Sequence, residues 1–216
     1  MTGLILKDFL VMRKTLKTYT LFLIFYAALA ALGALPLATV TAMVQIILIM
    51  LPISAFSYDE LAKWDRYVLT LPLGRRTVVK ARYLFTLLMT LGAAAFGLLA
   101  CVLLSLFRQE SLGENLASVL MCLALGLFIA DVMLPLCYKL GPERARPYLY
   151  LLVFLPVILL FITYKLGFLN GLELFFLSDL SEGAILALFA LLPLAALAGL
   201  WASYLAACRV VEEKEF

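Results

Sequence analysis

Apolar positions fall into six long runs, at about 18–36, 39–57, 83–107, 116–138, 148–166 and 183–206. Each reaches or approaches the roughly 20 residues that cross a hydrocarbon core as an α-helix. The first two runs are joined by a tight turn at Pro36. The polar stretches between the others are short, and the longest, 58–82, is too small to build a core of its own. The pattern predicts an all-α integral membrane protein with six transmembrane helices, forming one domain over 1–216. Within it lie spans one and two at 18–57, spans three and four at 83–138, spans five and six at 148–206, and a tail at 207–216.

Residues 1–17 have a different periodicity. Ile5, Phe9, Met12 and Leu16 recur at i, i+4, i+7 and i+11, one face of a helix, while Lys7 and Lys14 lie opposite. That arrangement predicts an amphipathic helix lying in the membrane interface. Phe9 and Met12 would enter the acyl boundary and Lys7 and Lys14 the headgroup layer. The alternative is an extension of span one beyond the bilayer. Ala28-Leu29-Ala30 mimics a signal-peptide cleavage site, but the stretch before it is long and amphipathic rather than a short basic tag, so it reads as part of an alanine-rich span.

The segment 58–82, YDELAKWDRYVLTLPLGRRTVVKAR, predicts a second amphipathic helix. Leu61, Trp64, Val68 and Leu71 share a face. Asp59 and Lys63 make an i, i+4 pair with the acid first, the favourable order. Pro72 stops the helix, Gly74 permits a turn, and Thr77 is placed to cap the helix that enters span three. Arg75, Arg76, Lys80 and Arg82 read as topology anchors. Trp64 on a solvated helix needs a surface to cover it.

Charge placement orients the bundle. Of seventeen Lys and Arg, fifteen fall in 1–17, 58–82, 139–147 and 207–216. The other two are Arg108 and Lys165. Basic segments flanking spans resist translocation, so both termini are expected in the cytoplasm. Apolar residues make up 66% of the chain, charged ones 14%, and mean hydropathy is +1.10. A soluble chain carries about a quarter charged residues, so composition points the same way.

The chemistry that remains is sparse. There is no histidine, no GxxxxGK[ST] loop and no HExxH. Neither a Ser-His pair nor a zinc protease is expected, and the chain has no visible means of hydrolysing ATP. No enzyme activity, metal or bound cofactor is expected. Cys101, Cys122, Cys137 and Cys208 lack CxxC spacing and read as small buried hydrophobes; a Cys101–Cys122 disulfide is allowed but not implied. The acids Glu173, Asp179 and Glu182 of the outer loop read as solvated. Gln45 reads as an interhelical hydrogen-bonding group, and the tyrosines and Trp201 as interfacial aromatics. Asp131 stands apart, a carboxylate about 10 Å of helix rise inside span four. It lies either on the substrate path or against a hydroxyl or arginine of a neighbouring span.

Asp59-Glu60, Lys63-Trp64-Asp65, Leu69 to Leu73 and Val78 to Tyr83, with the opening LILKDFLVMRK and the terminal Lys214-Glu215-Phe216, resemble bacterial ABC exporter permeases of the type-2 class. Within that class they are similar to the small six-span permeases without a fused ATPase. Thr70-Leu71-Pro72 stands where that class more often has Ser-Leu-Pro. The resemblance implies a permease of the bacterial cytoplasmic membrane that exports a peptide, drug or lipid-like substrate. A separate P-loop ATPase carrying ATP-Mg and a second permease copy or paralogue would be its partners, with no nucleic acid. It makes 1–17 the interfacial elbow and 58–82 the coupling segment, with Asp59, Glu60, Lys63, Trp64, Tyr67, Leu71 and Pro72 as the ATPase-coupling residues. The competing classes are a transporter or channel working without an ATPase and a non-transporting anchor or immunity protein. The former would want several buried charges or broken helices.

Overall fold

The computed structural model describes residues 2–68, 74–108, 112–165 and 182–213. Among these the chain is helical, with no strand. The helices are α1 (Thr2–Val11), α2 (Arg13–Leu32), α3 (Leu37–Leu61), α4 (Trp64–Val68), α5 (Arg75–Arg108), α6 (Leu112–Leu140), α7 (Pro142–Lys165) and α8 (Glu182–Glu213). Six of them, α2, α3 and α5 to α8, are long and apolar enough to cross a membrane.

Glycine and proline set the tight corners. Gly33 takes φ 74°, and its N–H and that of Ala34 donate to the carbonyls of Ala30 and Leu29. This is a Schellman ending, which uses a left-handed residue to satisfy the last carbonyls of a helix. Pro36 follows and α3 begins. At the other end of the bundle Gly141 takes φ 84° and donates to Cys137 O at 3.0 Å. Pro142 then opens α7, where a missing N–H costs nothing. The stretch 139–147, expected as a turn before span five, is therefore a one-residue elbow with α7 already running.

The core lies between α3, α5 and α6, with α8 packed along α6 over its greatest extent. Val40, Val44, Leu48 and Leu51 of α3 bury against Phe85, Met89 and Ala93 of α5 and against Met12. Val79 and Tyr83 of α5 meet Ala130 and Leu134 of α6 and Ala207, Cys208 and Val211 of α8. α3 and α6 are the most enclosed spans, whereas α2, α7 and α8 expose rows of large apolar side chains such as Leu21, Phe25, Phe154, Ile158, Leu194 and Trp201. In a bilayer those rows face lipid or another protein. Two contacts are close because one partner is glycine. Gln45 lies directly over Gly126, and the carboxylate of Asp131 lies 2.5 Å from where a Cβ on Gly199 would stand. All four cysteines are free thiols; Cys122 Sγ lies 3.5 Å from Thr41 Oγ1.

The described helix ends sort into two groups. α1, the end of α3, α4, the start of α5, the α6–α7 elbow and the end of α8 come together at one end, here the basic end. Arg75 there donates to the carbonyls of Val211 and Glu212, and Arg76 pairs with Glu212 at 2.5 Å. Cations are favourable at a helix C-terminus, where carbonyls are left over. Residues 207–213, expected as a tail, therefore continue α8 and bury Val211. The stretch 167–181 with Glu173 and Asp179 lies outside the described residues.

Candidate functional site

The basic end holds a buried ion cluster built from three helices. α1 supplies Lys7 and Asp8, the last turn of α3 supplies Asp59, and Arg82 comes from the second turn of α5. Asp8, Arg82 and Asp59 are 4%, 6% and 8% exposed. Arg82 Nη2 donates to Asp59 Oδ2, and Arg82 Nη1 lies 3.0 Å from Asp8 Oδ2. Lys7 Nζ donates to Asp59 Oδ1 at 2.7 Å and lies 3.2 Å from Asp8 Oδ1. Asp59 thus divides its two oxygens between two cations on different helices. Two acids and two bases make the cluster neutral, the condition under which charges are tolerated away from water. Burial pushes the Asp8 carboxyl above its ordinary value, against the pull of the Arg82 and Lys7 charges.

Aromatic rings wall the cluster. The Arg82 guanidinium lies 4.7 Å from the centre of the Phe56 ring, and Phe56 meets Tyr138 edge to face at 4.8 Å. Lys7 Nζ stands 4.2 Å over the Trp64 ring. Both are cation–π placements. Beside the cluster is a cavity of about 130 Å³ lined by Glu60, Trp64, Arg75, Cys137, Gly141 and Val211, among others.

The segment expected as one helix over 59–71 is two. α3 continues through Leu61, Ala62 closes it, and Lys63 takes φ 49° with its N–H on Glu60 O at 3.0 Å. α4 then restarts at Trp64. The break separates Asp59 from Lys63, so Asp59 turns inward to Lys7 and Arg82 while Lys63 stands exposed in the corner. Glu60 and Leu61 are exposed on the same corner, and Trp64 and Tyr67 pack together at 5.3 Å. Leu71 and Pro72 lie outside the described residues. α5 starts at Arg75 on the carbonyl of Gly74, which accepts from Thr77 N–H at 2.8 Å. Thr77 is inside the first turn rather than at the cap.

The first helix also differs from expectation. Phe9 meets Phe85 edge to face at 5.2 Å and Met12 is fully buried, so the predicted apolar face packs on α5 and α3. Lys7 points into the ion cluster instead of away from the protein, because Asp59 and the Trp64 ring offer it partners. Lys14 remains exposed. The outward face of α1 is Leu6, Leu10 and Val11. The helix pauses only at Met12, with Met12 N–H on Asp8 O and Leu16 N–H on Met12 O at 3.0 and 2.8 Å.

Asp131 sits at the seam between α6 and α8. Ser203 Oγ donates to its backbone carbonyl at 2.6 Å and also meets Tyr83 OH at 2.8 Å. The hydroxyl of a neighbouring span thus binds the Asp131 main chain, and carboxylate Oδ1 is buried without a hydrogen bond.

The chain belongs to the ABC-2 family of transporter proteins. The family's model, described as ABC-2 family transporter protein, matches residues 3–212. No curated protein and no solved structure matches the chain. Membership in the ABC-2 family gives the protein a permease role in an ABC transporter, and the match spans the α1 cluster residues as well as the spans. Asp8 had no role in the reading of the sequence, and Arg82, expected there as a topology anchor, is instead buried between Asp8 and Asp59.

Proposed function

We propose that this chain is the membrane permease of an ATP-driven exporter for a peptide, drug or lipid-like substrate, and that a separate P-loop ATPase docks on its basic end. That end faces the cytoplasm, since fifteen of seventeen Lys and Arg lie in the segments assigned there. A second permease copy or paralogue completes the transporter in the bacterial cytoplasmic membrane. The carrying observation is the α3–α4 corner. Leu61 is 81% exposed and Tyr67 56% exposed, beside Trp64 and beyond the apolar part of the spans. Apolar surface of that kind outside a membrane marks a contact site, and the buried ions behind it give the corner a firm backing. Trp64→Ala should weaken ATPase docking by about 2 kcal/mol, roughly 30-fold, if Trp64 is an interface anchor. Co-purified ATPase per permease measures this. Wild-type docking together with wild-type ATP-coupled transport in Trp64→Ala vesicles would remove the corner as the coupling element.

A further inference from the structure

We propose that Lys7, Asp8, Asp59 and Arg82 lock α1 onto the α3–α4 corner so that the two move as one body, with Lys7 and Asp8 as positioning residues for ATPase coupling. The proposal rests on the reading of that corner as the ATPase contact. Its basis is the way the cluster is wired. Asp59 is the last buried acid before the corner, and it holds Lys7 of α1 with one oxygen and Arg82 of α5 with the other. Asp8 closes the ring by lying within 3.2 Å of Lys7 and 3.0 Å of Arg82. Lys7 also covers the Trp64 ring of α4. Withdrawing α1 would strip Arg82 Nη1 of Asp8 and Asp59 Oδ1 of Lys7, leaving a buried pair half-satisfied in a medium that cannot solvate it.

The lock also has an outlet. α1 is tied to span one by helical hydrogen bonds on both sides of Met12, and to span three by the Phe9–Phe85 contact. A displacement of the corner by an ATPase would therefore reach α2 through α1 and α5 through Arg82 at the same time. α1 would be part of the force path rather than an anchor alone.

The test uses the full-length protein in nanodiscs, with spin labels on Leu10→Cys and Leu61→Cys after replacement of the four native cysteines. Both positions are exposed, on α1 and at the end of α3. Their separation is read by pulsed electron paramagnetic resonance, alone and with the P-loop ATPase trapped with ATP. The informative variant is Lys7→Gln with Asp8→Asn, which removes one charge of each sign and leaves the Arg82–Asp59 pair intact. The expected result is a single narrow distance in the wild type, unchanged on trapping. The double variant should show a broad, lengthened distribution with its ATPase still docked, and Lys7→Arg should restore the narrow one. A double variant as narrow as wild type, or a wild-type distance that changes on trapping, overturns the lock. Failure of the ATPase to dock on wild type overturns the functional reading instead, and the resting distributions still decide the lock.

Discussion

Arg82 and Asp59, 23 positions apart, meet inside the protein through a hydrogen bond from the guanidinium to the carboxylate. The contact fixes the start of span three against the end of span two. It also explains why an arginine in a basic stretch is buried while its neighbours Arg75, Arg76 and Lys80 stand exposed.

Arg82→Ala should be severely destabilising. It leaves Asp8 and Asp59 buried with only Lys7 between them, and breaking a buried ion pair typically costs about 3–5 kcal/mol. Arg82→Lys should recover part of this, since one ammonium cannot serve both carboxylates with the geometry of a guanidinium fork. Thermal unfolding in detergent reads both. A wild-type Tm in Arg82→Ala would mean that the cluster carries no stability.

Asp8 gives the stability a pH dependence of defined sign. Its carboxyl titrates above the ordinary value of 3.8, chiefly because of burial. The folded state therefore binds this proton more tightly than the unfolded state does. The Asp8 contribution is fully present below pH 3.8 and is lost as pH rises through the raised value. Compared with Asp8→Asn, the wild type should gain in relative Tm as pH falls through that window. A relative loss would reverse the sign and imply that the pairs with Arg82 and Lys7 outweigh burial.

The six spans and the basic end were legible because they depend on run lengths and on charge placement, which are local to the sequence. The ion cluster was only half legible. Asp8 falls between Ile5 and Met12 at i+3 and i+7, on the apolar face of α1, and an acid on that face signals a buried partner. Its partner's identity depends on how α3 and α5 cross, which no single segment encodes. The break at Lys63 was invisible for a related reason: a non-glycine residue with positive φ is set by its surroundings rather than by its own preference. The continuation of α8 into the charged tail was not legible because Val211 is buried against Val79 and Tyr83 of α5, beside the Arg75 contacts with the end of α8.

The Asp131 carboxylate is buried at the α6–α8 seam, with Oδ1 lacking a hydrogen bond and Oδ2 lying over Gly199, and a role on the substrate path predicts an effect on transport alone. Asp131→Asn is nearly isosteric and should lower transport while leaving assembly, Tm and basal ATP hydrolysis in place. Gly199→Ala should instead destabilise by about 1–3 kcal/mol through overpacking. Unaltered transport in Asp131→Asn would reduce this residue to a packing role.

The coupling role of the α3–α4 corner requires that the ATPase touch it. A photo-crosslinking side chain replacing Leu61, at the basic end, should yield an adduct with the P-loop ATPase in membranes, identified by mass. The same side chain replacing Leu112, at the opposite end of the bundle, should yield none. An ATPase adduct from position 112, or none from 61 while the complex is intact, would contradict both the orientation of the bundle and the assignment of the α3–α4 corner.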